Sequence, residues 1–76
     1  MVIYNNFMSK IRLYAFSTSK NQYFYINQKV KDLQTGQEGI IYEISDNLSN
    51  EIIIKVSYLH VRKGYPLNKQ IYLETI

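Results

Sequence analysis

The stretch Gly36-Gln37-Glu38-Gly39-Ile40-Ile41-Tyr42-Glu43-Ile44 decides the fold class of this chain. Ile40, Tyr42 and Ile44 alternate with Ile41, Glu43 and Ser45, the period-two pattern of a strand with one buried face. Gln34 to Gln37 ahead of it is turn chemistry, with Gly36 free to take a positive φ. Towards the N-terminus, Phe24, Ile26 and Val30 alternate with Tyr25, Asn27, Lys29 and Lys31, which predicts one strand starting near Tyr23. Towards the C-terminus, Asp46 to Asn50 is a second turn. Ile52, Ile54, Val56 and Tyr58 then alternate with Ile53, Lys55, Ser57 and Leu59. A loop is expected from His60 to Lys69, holding Gly64 and the single proline, Pro66, before a last short strand from Gln70 to Glu74. The expected core is Ile40, Ile44, Ile52, Ile54 and Val56, with Gly39 at a bend.

The first twenty residues support two patterns. Ile11, Leu13 and Ala15 alternate as in a strand, while Phe7, Ile11, Tyr14 and Ala15 sit at helical spacing behind a capping Asn5 or Asn6. The weight of Tyr, Phe, Ile and Thr favours a strand over residues 9 to 16. Ser17 to Asn21 is a polar connector, dividing a basic arm or strand (residues 1–20) from a small β-barrel (residues 21–76). Four or five short strands with tight turns make a closed antiparallel barrel the expected architecture: all-β, five-stranded, with the extra N-terminal strand or arm. Closure removes exposed strand edges.

Seventy-six residues suffice for one domain, and a chain this short buries only about 60% of its unfolded surface. The apolar fraction of 46% is too high for a disordered chain. With no cysteine and one histidine, His60, the chain lacks the ligands for a disulfide framework or an ordinary structural zinc site, and no cofactor is expected. No run of eighteen apolar residues occurs, so no membrane-spanning helix is expected. The N-terminus lacks the apolar run of a secretory signal, although it shares the serine-bearing, basic, acid-free character of an organellar presequence. The expected location is cytoplasmic. Met8-Ser9-Lys10 reads as an alternative start, which would make residues 1–7 peripheral.

The net charge of +3 is uneven. Lys10, Arg12, Lys20, Lys29 and Lys31 fall in a stretch without acids, whereas all six acids follow Lys31. Such asymmetry hints at an acidic partner, but ordinary solubilising surface charge is the simpler account of it.

Gly36 to Ile44 is similar to the Gly-x-x-Gly-x-Val-x-x-Val core of KOW-type motifs, found in small barrels of the Src-homology type. The likeness extends loosely over residues 28–76, with Val30 and Lys55-Val56 falling where such barrels place neighbouring strands. It departs in a shorter loop before Gly36 and in Glu38, where a basic residue is common. The resemblance implies a closed barrel and a role in binding: RNA or transcription proteins in KOW members, proteins in other Src-homology-like barrels. Fold alone fixes neither.

No constellation for catalysis stands out. His60 follows Ser57 by three residues, but a triad needs hydrogen-bond geometry that spacing does not supply. Gly36 and Gly39 precede a strand rather than a helix, so they form no phosphate loop. The candidate partner-binding residues are Tyr23, Tyr25, Lys29 and Lys31 on the outer face of one strand, with Arg62, Lys63 and Tyr65 in the long loop. Rings among lysines can stack bases and hold phosphates or anchor a protein, and the same face can be an ordinary solvent face with Tyr suited to a strand. Ile41, Ile53 and Leu59 lie opposite the core series, leaving apolar surface to be covered by residues 1–20, a second copy or another protein. The expectation is a non-enzymatic binding module acting through protein–protein contact. Its small size and AT-rich residue usage suit an accessory or inhibitor protein of a phage or mobile element. The alternative is a KOW-like module binding RNA or DNA.

Overall fold

Left-handed residues punctuate the chain. In the computed structural model, which describes residues 11–69 and 71–76, Asn21, Asn27 and Asn50 hold φ of 51°, 69° and 62°, and Gly36 holds 78°. Asparagine and glycine enter this region at the least steric cost. Between and beside them run eight strands: β1 (Ile11–Arg12), β2 (Tyr14–Ser17), β3 (Gln22–Tyr25), β4 (Lys29–Asp32), β5 (Glu38–Asp46), β6 (Ile52–Ser57), β7 (Arg62–Pro66) and β8 (Leu73–Thr75). The single strand expected at residues 9–16 is, from Ile11 onward, two short strands parted at Leu13: β1 joins the main sheet and β2 a separate one. The proposed cap at Asn5 or Asn6, the alternative start at Met8 and the peripheral residues 1–7 lie outside the described residues.

The main sheet has the order β7-β6-β5-β4-β8, all antiparallel, with β1 pairing the far end of β5 through Ile11 opposite Ser45 and Arg12 opposite Ile44. Strands β2 and β3 form a separate hairpin with Ala15 opposite Phe24. The single strand expected from Tyr23 to Lys31 is therefore two, in different sheets. Asn27 breaks it with its positive φ, and Ile26 still donates to the Leu13 carbonyl of the hairpin while Asn27 donates to Ile41 of the main sheet. Of the polar connector Ser17 to Asn21, Ser17 is buried in β2 and Thr18 to Asn21 form the hairpin turn, closed by Asn21 N–H on the Thr18 carbonyl.

The core comprises Ala15, Phe24, Val30, Ile41, Ile44, Ile54, Val56, Tyr58, Tyr65, Ile71 and Leu73. Of the residues expected inside, Ile44, Ile54 and Val56 are fully buried, Ile52 is half-buried, and Ile40 is 40% exposed while Ile41 is buried. A bulge between Ile41 and Glu43 explains the exchange. The extra residue shifts the alternation by one, so Ile41 and Ile44 share the inner face with Tyr42 outside between them. Gly39 is buried at a close strand approach. A Cβ there would lie 2.7 Å from the Ser57 carbonyl oxygen and 2.8 Å from both Tyr58 Cδ1 and Val56 Cγ1.

The closed five-stranded barrel is not found, and with it falls the Src-homology, KOW-like identification. Both sheets stay open: β7 and β8, at the two ends of the main sheet, are not neighbours. Half of the expected loop from His60 to Lys69 is instead strand β7, hydrogen-bonded to β6, and β8 begins at Leu73, later than expected. Pro66 denies β7 an N–H at its free edge, and β8 is three residues long. A cleft of about 180 Å³ lined by Lys63, Gly64, Pro66, Ile71 and Tyr72 lies where closure would have occurred. Side chains cross instead of a ladder: Tyr65 of β7 donates to Asp32 of β4 at 2.6 Å.

Candidate binding surface

The β2–β3 hairpin is two-faced because its strands alternate in phase. Ala15, Ser17 and Phe24 point into the protein, while Tyr14, Phe16, Tyr23 and Tyr25 point out. Register places Tyr14 opposite Tyr25 and Phe16 opposite Tyr23, so the outward rings gather. Ring centroids lie 4.8 Å apart for Phe16–Tyr23, 5.8 Å for Tyr14–Tyr23, 6.0 Å for Tyr23–Tyr25 and 6.2 Å for Tyr14–Tyr25. These spacings suit tilted and offset aromatic contacts, which stiffen the patch. Tyr14 is 56% exposed and both Tyr23 and Tyr25 are 48% exposed. Such a cluster presents rigid area with polar hydroxyl tips and little side-chain entropy to lose on binding.

The sequence-derived site residues divide into three environments. Tyr23 and Tyr25 belong to this patch. Lys29 and Lys31 are exposed on β4, in the other sheet, and face acids: Lys29 Nζ lies 3.6 Å from Glu38, and Lys31 stands opposite both Glu38 and Glu74. Arg62, Lys63 and Tyr65 lie in β7 rather than in a loop. Arg62 stacks over the Tyr42 ring at 4.9 Å, Lys63 reaches Asp32 at 3.2 Å, and Tyr65 is buried in the core. Tyr14 and Phe16 join Tyr23 and Tyr25, yet they were not among the candidate residues. The signal was present: Tyr-Ala-Phe-Ser and Gln-Tyr-Phe-Tyr flank a polar four-residue turn, which is hairpin patterning.

Tyr65 and Lys63 serve the interior. Asp32 is 1% exposed and accepts hydrogen bonds from Tyr65 Oη, Lys63 Nζ and the backbone N–H groups of Gln34 and Thr35. Burial pushes its carboxyl upward, but the bonds from Tyr65, Gln34, Lys63 and Thr35 outweigh it and hold the group at about 2. Burial pushes the Tyr65 phenol up, and its bonds to Asp32 and Tyr58 add to the shift. Tyr58 and Tyr65 hydroxyls share a hydrogen bond of 2.5 Å. This network ties β4 to β7 and to Tyr58, just past the end of β6, and offers no free nucleophile or base.

Other charges are similarly engaged. Arg12 binds Asp46 through two bonds of 2.5 and 2.9 Å, and Lys55 binds Glu43 at 3.0 Å. The Glu43 carboxyl is held down by the Ser45 hydroxyl and by Lys55. His60 is exposed in the tight turn closed by Tyr58 N–H on the Val61 carbonyl. Among the described residues no cluster of His, Asp and Glu could hold a metal ion, and no helix is long and apolar enough to cross a membrane. Comparison with known protein families, with curated proteins and with solved structures finds no match to this chain.

Proposed function

We propose that the chain is a binding module that acts by protein–protein contact through the outer face of the β2–β3 hairpin. The observation that carries this reading is the cluster of Tyr14, Phe16, Tyr23 and Tyr25, exposed together on one face. Lys20, at the hairpin tip, is the sole charge from Leu13 to Gln28. Buried centres of protein interfaces are rich in aromatic rings and poor in charge. A nucleic-acid face needs phosphate-binding cations among its rings, whereas Lys29, Lys55, Lys63 and Arg12 face carboxylates in this fold.

The test is affinity capture from nuclease-treated lysate of the source cells. The immobilised wild-type protein is compared with a Tyr14→Ala, Tyr23→Ala, Tyr25→Ala variant. A protein band retained by the wild type and lost with the variant, while Lys29→Ala and Lys31→Ala leave it in place, is the expected result. Retention that depends on intact nucleic acid, or that survives loss of the rings, overturns the reading.

A further inference from the structure

Among the described residues, the edge of β2 differs from the edges of β3, β7 and β8. The Ile26 N–H bond to the Leu13 carbonyl, at 3.0 Å, fixes the phase of the hairpin ladder. Hydrogen-bonding groups alternate in direction along an antiparallel strand. Those of Ala15 and Ser17 therefore point to β3, and those of Tyr14 and Phe16 point away. Among the described residues, no partner meets the backbone N–H and C=O of Tyr14 and Phe16. The β3 edge is closed at Tyr25, whose N–H donates to the Gln28 side chain and whose carbonyl accepts the Gln28 N–H, both at 3.1 Å. The β7 edge carries Arg62, Lys63 and Pro66, the residue types that block edge pairing. The β8 edge is only three residues long. Strand β2 has no such guard: Leu13 to Ser19 contains neither a charge nor a proline. A groove of about 210 Å³ lies between Phe16 and Thr18 on one side and Glu51, Ile52 and Leu67 on the other.

We infer that the β2 edge pairs with the β2 edge of a second copy of this chain, antiparallel, about a two-fold axis near Ala15. Tyr14 of each copy then faces Phe16 of the other, and each such pair exchanges both backbone hydrogen bonds. The two hairpins become one four-stranded sheet, with the rings of both copies on a common face as cross-strand aromatic neighbours. The chain carries +3 overall, but the near absence of charge from Leu13 to Gln28 lets two copies meet here without like-charge opposition. Such an isologous contact closes on itself. Strands of four residues and their rings make a contact at the low end of interface sizes, so the dimer is reversible and concentration-dependent. The inference rests on the strand edge and not on the outer ring faces, which remain open to a different partner.

Sedimentation velocity from low micromolar to near-millimolar protein is expected to show the mass rising from one chain to two. A Tyr14→Lys, Phe16→Lys variant places like charges opposite each other across the axis and should weaken association by about tenfold or more. A Tyr14→Lys, Phe16→Glu variant places opposite charges there and should recover it, with circular dichroism confirming that both variants fold. In the unmodified protein, amide exchange at Tyr14 and Phe16 should slow as concentration rises. A wild type that stays monomeric throughout, a Lys–Lys variant that associates as well as the wild type, or exchange at both amides that ignores concentration overturns the inference.

Discussion

Asp32 joins separate parts of the sequence through one carboxylate, and its ionisation is therefore part of the fold. Held at about 2 against an ordinary 3.8, it stabilises the native state at pH above about 4, and that contribution is lost as pH falls from there to about 2. The shift corresponds to about 2 kcal/mol. Asp32→Asn should lower stability at pH 7 by roughly that amount, and the gap to wild type should shrink towards pH 2. Urea titrations across this range measure it, and a gap independent of pH would refute the assignment. Gly39 and Gly36 make a second comparison. A methyl at Gly39 meets the Ser57 carbonyl and the Val56 and Tyr58 side chains inside van der Waals distance, while at Gly36 it meets nothing within 4 Å. Gly39→Ala should destabilise by about 1–3 kcal/mol through overpacking or more if the backbone cannot shift. Gly36→Ala should cost about 1–2 kcal/mol from its left-handed φ alone, and Gly36→Asn less. Thermal unfolding of the three variants ranks them.

At the level of strands, period-two alternation was legible wherever a strand is regular, as along β6, where Ile54 and Val56 are buried as expected. It misplaced Ile40 because a bulge adds a residue without leaving a mark in hydrophobicity. It joined β3 to β4 because Phe24, Ile26 and Val30 keep their parity across the break at Asn27. Strand β7 was hidden by Arg62, Lys63, Gly64 and Pro66, a composition that reads as loop but suits a guarded edge. The hairpin face was half legible: Tyr23 and Tyr25 stood out, whereas Tyr14 and Phe16 fell in a segment assigned to a separate arm. The bulge gives a direct check. Ile41→Ala should cost about 2–5 kcal/mol as a core truncation, and Ile40→Ala under about 1 kcal/mol as a surface change. Equal costs in chemical denaturation would contradict the bulged register. Removing residues 1–20 takes away β1 and β2, which unpairs β3 and bares the β5 edge at Ile44 and Ser45. That truncation should aggregate, and a soluble monomer in sedimentation would count against the role of the hairpin in covering the core.

At the scale of the molecule, ion pairs among the described residues join distant parts of the chain. The basic first part of the chain and the acidic remainder come together on folding. Arg12 meets Asp46, Lys29 meets Glu38, and Lys31 lies between Glu38 and Glu74. Among the described residues, Arg12, Lys29 and Lys31 of the basic stretch thus face acids within the fold, and Lys20 at the hairpin tip is the one charge in the ring-bearing segment. This separates protein contact from nucleic-acid contact in a measurable way. Binding to phosphates releases counterions, so affinity falls log-linearly with salt, with a slope set by the number of contacts. Bases engaged by carboxylates must break those pairs before contributing. Titration with generic single- and double-stranded oligonucleotides at low salt should therefore give weak binding and a shallow slope. Lys29→Ala and Lys31→Ala should change that slope by much less than the roughly one unit per lost phosphate contact expected of a dedicated binder. Tight binding with a steep slope that flattens on loss of Lys29 and Lys31 would instead make β4 a phosphate-binding strand and overturn the protein-contact reading.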